Sequence, residues 1–86
     1  MAYQVLIPRT VQKMLDALPH RVRLQIGERI LTLADNPRPP GSIKLKGYED
    51  QYRIRVGRYR VRYTINDEQL IVVVISCKHR KDAYKD

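Results

Sequence analysis

The chain has 86 residues, a formal net charge of +8 and a sequence pI near 10.0. That length is enough for one domain, residues 1–86, burying roughly 60 to 65% of its unfolded surface, and excludes a second core. The charge calls for an acidic partner (nucleic acid, an anionic membrane or an acidic protein), but no apolar run approaches the ~18 residues of a membrane span and residues 1–6 lack the basic-then-apolar order of a secretory signal, so a cytoplasmic protein with no membrane partner is expected.

Residues 2–7 alternate, with Tyr3, Val5 and Ile7 on one side, and read as a strand that Pro8 ends. Proline also suits a helix start. From there Val11, Met14, Leu15 and Leu18 keep the i, i+3, i+4, i+7 spacing of a short amphipathic helix with its stripe toward the core. Pro19 suits the first turn of a second helix, whose stripe is Val22, Ile26, Ile30 and Leu33 with Leu31 and Ala34 beside it, and the two helices form a hairpin. Gly27 falls inside the second helix, where glycine costs about 1 kcal/mol relative to alanine, so a close approach to the first helix is expected there. His20, Arg21, Arg23 and Arg29 are expected to face water.

The run 36–41, Asn-Pro-Arg-Pro-Pro-Gly, stops the helix, because proline lacks the amide hydrogen and restricts the residue before it. Ile43 and Leu45 then alternate with Lys44 and Lys46 in a short strand or extended lead-in, a polarity pattern that anticipates the basic stretch to come. In that stretch Tyr52, Ile54 and Val56 share a face opposite Arg53 and Arg55; after a turn at Gly57, Tyr59, Val61, Tyr63 and Ile65 oppose Arg58, Arg60, Arg62 and Thr64. The two strands make a hairpin. A second turn at 66–68 leads into 70–75, apolar at every position and therefore expected as the central strand, covered on both faces. The tail, 76–84, is expected to leave that strand near the arginine face. The expected fold is α+β: an N-terminal strand, a helical hairpin, then three to four mostly antiparallel strands in one sheet. The single cysteine, Cys77, has no partner for an internal disulfide, and no Cys/His spacing suits zinc; it reads as a small packing residue, and no metal or cofactor is expected.

Five arginines within residues 52–62 repel one another, and an arriving anion relieves that repulsion, which points to a preformed site for a phosphate backbone. Metal-free RNA cleavage needs a base for the 2′-hydroxyl, positive charge for the crowded phosphorane and an acid for the departing 5′-oxygen. Arg53, Arg55 and Arg60 supply fixed charge and bidentate phosphate contacts. His79 and Tyr84 are the titratable candidates: an imidazole works near neutral pH, and clustered arginines favour a tyrosinate. The acids are scattered, without a carboxylate pair to hold magnesium. On the pattern alone, a basic surface that binds without turnover is at least as good a reading. Arg58 and Arg62 read as peripheral charge.

The ordered set Asn-Pro-Arg-Pro-Pro-Gly, Lys44-Leu45-Lys46-Gly47, Tyr52-Arg53-Ile54-Arg55-Val56-Gly57, Tyr59-Arg60-Val61, Tyr63 and His79-Arg80-Lys81-Asp82-Ala83-Tyr84 resembles the RelE/ParE superfamily of toxins, on the RelE side, over nearly the whole chain. The resemblance implies a sheet packed on a helical hairpin, similar to microbial ribonucleases, and a toxin that cleaves messenger RNA in the ribosomal A site against 16S rRNA. It also implies a RelB-like antitoxin that wraps the toxin, masks its basic groove and joins it on operator DNA. Carried over by position, the family's catalytic basic pair falls on Arg53 and Arg55, its phosphate-stabilising arginine on Arg60, and its C-terminal arginine and tyrosine on Arg80 and Tyr84. Lys44, Lys46, Arg58, Arg62, Lys78 and Lys81 surround these as expected RNA-binding charge. Two departures stand out. Well-known members carry lysines at the first pair, and arginine is a poor base, so the base role passes to His79 or Tyr84. Lys78 stands where many members have glycine. ParE-like relatives, which poison gyrase, generally lack the full set; a gyrase inhibitor and a non-catalytic RNA- or DNA-binding module are the competing readings.

Overall fold

The computed structural model describes residues 2–83. The apolar–basic alternation becomes strands β3 (Gln51–Val56) and β4 (Tyr59–Asn66), paired antiparallel so that Val56 faces Tyr59 across a two-residue turn. Gly57 has φ 60° while Arg58 stays out of the left-handed region, the pattern of a type II′ turn, whose twist matches that of the flanking strands. Around this hairpin the sheet runs β1-β5-β4-β3-β2, with β1 (Gln4–Leu6), β2 (Ile43–Lys44) and β5 (Ile71–His79). Among the described residues, only β1 and β5 pair in parallel. Two helices, α1 (Arg9–Asp16) and α2 (His20–Thr32), separate β1 from β2, and a single turn, α3 (Arg80–Ala83), follows β5. The fold is α+β, with a helical hairpin on one face of a mostly antiparallel sheet. Among the described residues, no helix is long and apolar enough to cross a membrane.

The helix stripes meet the apolar face of the sheet. Val11, Leu15, Ile26, Ile30 and Leu33 are buried against Ile54, Val61, Tyr63, Val72 and Val74. Each fully buried aliphatic side chain stabilises by about 1.5–3 kcal/mol, so this one layer outweighs the charge repulsion spread over the opposite face. Met14 and Leu31 stay largely outside it, at 38% and 67% exposure. The expected close helix approach at Gly27 is absent: a Cβ there meets nothing within 4 Å.

Three expectations about the last strand need correction. The middle strand is β4, because β1 returns to pair on the far side of β5. The run 70–75 is also not covered on both faces: Val72 and Val74 are buried, whereas Ile71 and Val73 are half-buried and Ile75 is 37% exposed. Nor does the chain leave the sheet at Ser76. It pairs on to His79, because β4 offers partners as far as Tyr59. Tyr63 pairs with Val74 and Arg62 with Ser76, so Ile75 is a bulge, the extra residue that re-phases the strand. Beyond it Cys77 turns to the core, and burial pushes its thiol up to about 11, leaving it protonated and unreactive.

The proline-rich bridge is anchored from two sides. The Tyr63 hydroxyl, fully buried, donates to the Pro37 carbonyl at 2.7 Å, and burial pushes its pKa up to about 12. Arg38 donates from Nη1 and Nη2 to the two carboxylate oxygens of Asp67 at 3.2 and 2.9 Å and from Nε to the Tyr52 hydroxyl at 3.3 Å. The Tyr3 hydroxyl donates to the same carboxylate at 2.6 Å, which joins β1, the bridge and the β4–β5 turn. Arg38 first and Tyr3 second hold the Asp67 carboxyl down at about 2.

Candidate functional site

Residues directly opposite in a sheet point the same way, so the strand register lays out the open face as a grid. One row is Arg55, Arg60 and Lys78; the next is Arg53, Arg62 and Ser76, on β3, β4 and β5. Arg55 faces Arg60 and Arg53 faces Arg62, two like-charged cross-strand pairs that disfavour the sheet. The register itself thus concentrates cations. Along one side, the loop after β2 forms a wall, held by the Leu45 amide donating to the Gln51 carbonyl at 2.9 Å.

Between this wall and β5 lies a cleft of about 280 Å³ lined by Leu45, Lys46, Tyr48, Arg53, Arg60, Arg62, Ser76 and Lys78. A second recess, of about 160 Å³, is lined by Arg55, Gly57, Arg58, Tyr59, Arg60 and Arg80. Arg60 lines both. Arg80 reaches the second recess because its backbone amide donates to the Arg58 carbonyl at 2.7 Å, tying the start of α3 to the hairpin turn. No carboxylate is among the described residues lining either recess. The combined surface is suited to gripping a phosphate from several directions through guanidinium groups.

The site residues expected from the sequence divide by face. Arg53, Arg55, Arg60 and Arg80 come together, with Lys46 and Lys78 beside them. Arg58 sits at the exposed hairpin tip, and Lys81 is exposed on α3. Lys44 is turned away: it pairs with Tyr52, on the helix-covered side, while Ile43 pairs with Arg53 and takes the place expected for a lysine. His79 is turned away as well. It pairs with Tyr59, touches that ring edge-on at a centroid distance of 5.3 Å, and accepts at Nδ1 from the Lys81 amide at 3.3 Å. The bulge at Ile75 set this phase, which a count along an unbroken strand misses. Tyr84 lies outside the described residues.

Arg62 is the reverse case. Expected at the periphery, it stands in the middle of β4, half-buried, and lines the first cleft. Its Nη2 donates to Gln51 Oε1 at 2.7 Å, its guanidinium carbon lies 5.6 Å from the centre of the Tyr48 ring, and its Nε is buried with no hydrogen-bond partner among the described residues. Tyr48 went unnoticed in the sequence because it stands in a loop without alternation; the only signal was an aromatic residue beside a basic stretch.

Comparison with known proteins places this geometry. Residues 5–84 match the family model described as the ParE toxin of the type II toxin-antitoxin system, parDE. The RelE1 protein of Methanocaldococcus jannaschii is 34% identical over 89 residues, covering 100% of this chain and 99% of that protein. Among solved structures, the archaeal RelE-RelB complex from Pyrococcus horikoshii superposes with a TM-score of 0.83 at 34% identity, covering 93% of this chain and 97% of that one. The intact Escherichia coli RelBE toxin-antitoxin complex superposes with a TM-score of 0.79 at 30% identity, covering 91% and 96%.

Proposed function

The chain belongs to the RelE/ParE toxin family and is a toxin of the RelBE type, and from that premise we propose that it is a ribosome-dependent endoribonuclease that cuts messenger RNA in the ribosomal A site. The observation that carries this reading is the convergence of guanidinium groups on the open sheet face, where Arg60 shares one recess with Arg53 and Arg62 and another with Arg55 and Arg80. In this reading the RNA 2′-hydroxyl attacks the adjacent phosphorus, the bond to the 5′-oxygen breaks, and a 2′,3′-cyclic phosphate is left. Arg53 and Arg55 hold the backbone, and Arg60 stabilises the dianionic phosphorane, whose extra charge makes its contacts stronger than those to the ground-state phosphate. Arg80 neutralises the leaving oxygen. Tyr84 moves the protons; His79, on the other face of the sheet, positions the chain that carries Arg80.

The partners follow from the same reading: messenger RNA and 16S rRNA as the substrate assembly, a RelB-like antitoxin, and operator DNA only as the toxin–antitoxin complex, all in the cytoplasm. The test is cleavage of programmed ribosomes, with message ends mapped. Cuts within the A-site codon that disappear when the nucleotide 5′ of the cut is 2′-deoxy support the reading; cutting of the deoxy message overturns its chemistry. The matching family model is described by its ParE members, so the second reading is a toxin that acts on gyrase by contact. Intact messages together with DNA breaks after induction would favour it.

A further inference from the structure

Tyr48 and Arg62 have no part in the chemistry above, and neither is explained by packing. The Tyr48 ring stands on the loop between β2 and β3, 49% exposed, at the wall of the cleft that Arg53, Arg60 and Arg62 line. Arg62 lies against it with one nitrogen committed to Gln51, so its guanidinium is held in a fixed orientation beside the ring. Directly opposite it on β3 stands another cation, Arg53. An exposed aromatic face braced by a planar cation, on a cleft whose floor is cationic, is the set of parts with which proteins hold single-stranded nucleic acid: bases stack on the ring while the charges follow the backbone. The cleft volume of about 280 Å³ is at the lower end of small-molecule sites, and suits one nucleotide.

We propose that Tyr48 and Arg62 form a nucleobase subsite, in which the base next to the scissile phosphate stacks on Tyr48 while Arg62 steadies the ring and contacts the flanking phosphate. Arg53 and Arg60 line the same cleft, so a phosphate held there places its neighbouring base at the wall that Tyr48 forms. The inference rests on the reading of the chain as an RNA endonuclease and adds a binding element to it. Stacking accepts every base, so the subsite grips and registers the strand without reading a codon. An acidic peptide finds the same charges, but makes no comparable use of the exposed ring.

The test uses the full chain and a short single-stranded RNA with 2′-O-methyl groups, which prevents cleavage, and one 2-aminopurine, whose fluorescence is quenched by stacking. The wild-type protein quenches it. Tyr48→Ala abolishes the quench and weakens binding about tenfold, and Tyr48→Phe retains both. Arg62→Ala reduces the quench. Equal quenching and affinity in wild type and Tyr48→Ala overturn the subsite, as does a Tyr48→Ala variant that loses antitoxin affinity alone. On programmed ribosomes Tyr48→Ala raises the half-saturating ribosome concentration and leaves the maximal rate near wild type, whereas Arg60→Ala lowers the maximal rate. A wild-type protein that quenches the probe yet cuts no message removes the endonuclease reading and leaves the subsite standing.

Discussion

Arg38 and the arginines of the open face show one residue type in two situations. Arg38 presents its fork to the two oxygens of Asp67 and its Nε to the Tyr52 hydroxyl, and its guanidinium lies over the Tyr52 ring at 5.0 Å. Arg53, Arg55, Arg60 and Arg62 instead sit opposite one another, in recesses with no carboxylate among the described lining residues. In the first case the protein supplies the counter-ion, and the charge locks a turn to a linker. In the second, the strand register sets cation against cation, and on the proposed reading a phosphate is the anion that this face receives. On the proposed reading, what separates a structural arginine from a binding one is its cross-strand neighbour, which register determines and composition does not.

The most direct way to break this comparison is Arg60→Ala. Loss of the group shared by the two recesses along β4 is expected to lower single-turnover cleavage on programmed ribosomes by about 10²–10³-fold, the usual effect of removing one transition-state donor. Its urea midpoint is expected to fall by less than that of Tyr63→Phe, because Arg55 and Lys78 are relieved of a like-charged neighbour. A large loss of stability would place Arg60 with Arg38, as a structural residue.

Next in size is Tyr63→Phe. The ring remains buried, but the Pro37 carbonyl loses the donor that holds the bridge, and stability is expected to fall by about 1–3 kcal/mol in urea unfolding. Titration of the same phenol acts in the opposite pH direction from a carboxylate. Its pKa is raised from 10.0 to about 12, so its contribution is fully present below about pH 10 and is lost as pH rises toward 12; Tyr63→Phe removes that alkaline loss. Arg38→Ala is expected to cost less, about 1 kcal/mol, since both partners of the ion pair are well exposed, at 43% and 55%. Cleavage by this variant is expected to remain within about twofold, a change of ~0.4 kcal/mol in the barrier.

Much of this arrangement was readable in the residues. Period-two alternation from Tyr52 to Ile65 specified the face of every side chain in the hairpin, because a slip of one residue would bury arginines. The helical stripes specified Val11, Ile26 and Ile30 as core in the same way. What escaped depended on local events that leave no periodic trace. The bulge at Ile75 moved His79 to the far face, and the pairing of Ile43 with Arg53 moved Lys44 there too. Tyr48 reached Arg62 only because a loop folds back over the sheet. The Arg38–Asp67 contact spans 29 positions, and the sequence around either residue contains no hint of the other. Gly27, read as a packing device, faces open space; its reason is not explained by any contact in the fold.

The smallest expected effect separates the two kinds of arginine by acid. Asp67 has its carboxyl lowered from 3.8 to about 2, by the hydrogen bonds from Arg38 and then Tyr3. A depressed pKa means that the folded chain binds fewer protons than the unfolded chain, so the stabilisation is complete above about pH 4 and is lost as pH falls toward 2. Other carboxylates also titrate across this window, so the measurement is the difference between wild type and Asp67→Asn. The asparagine variant is expected to be less stable at neutral pH, and the two urea midpoints are expected to converge near pH 2. Arg62→Ala should instead run parallel to wild type through the window, because its printed partners are Gln51 and the Tyr48 ring, neither of which titrates there. Convergence of an open-face variant with wild type in acid would mean that the fold supplies its own anion there, and that the open face is a structural clamp like the one at Arg38.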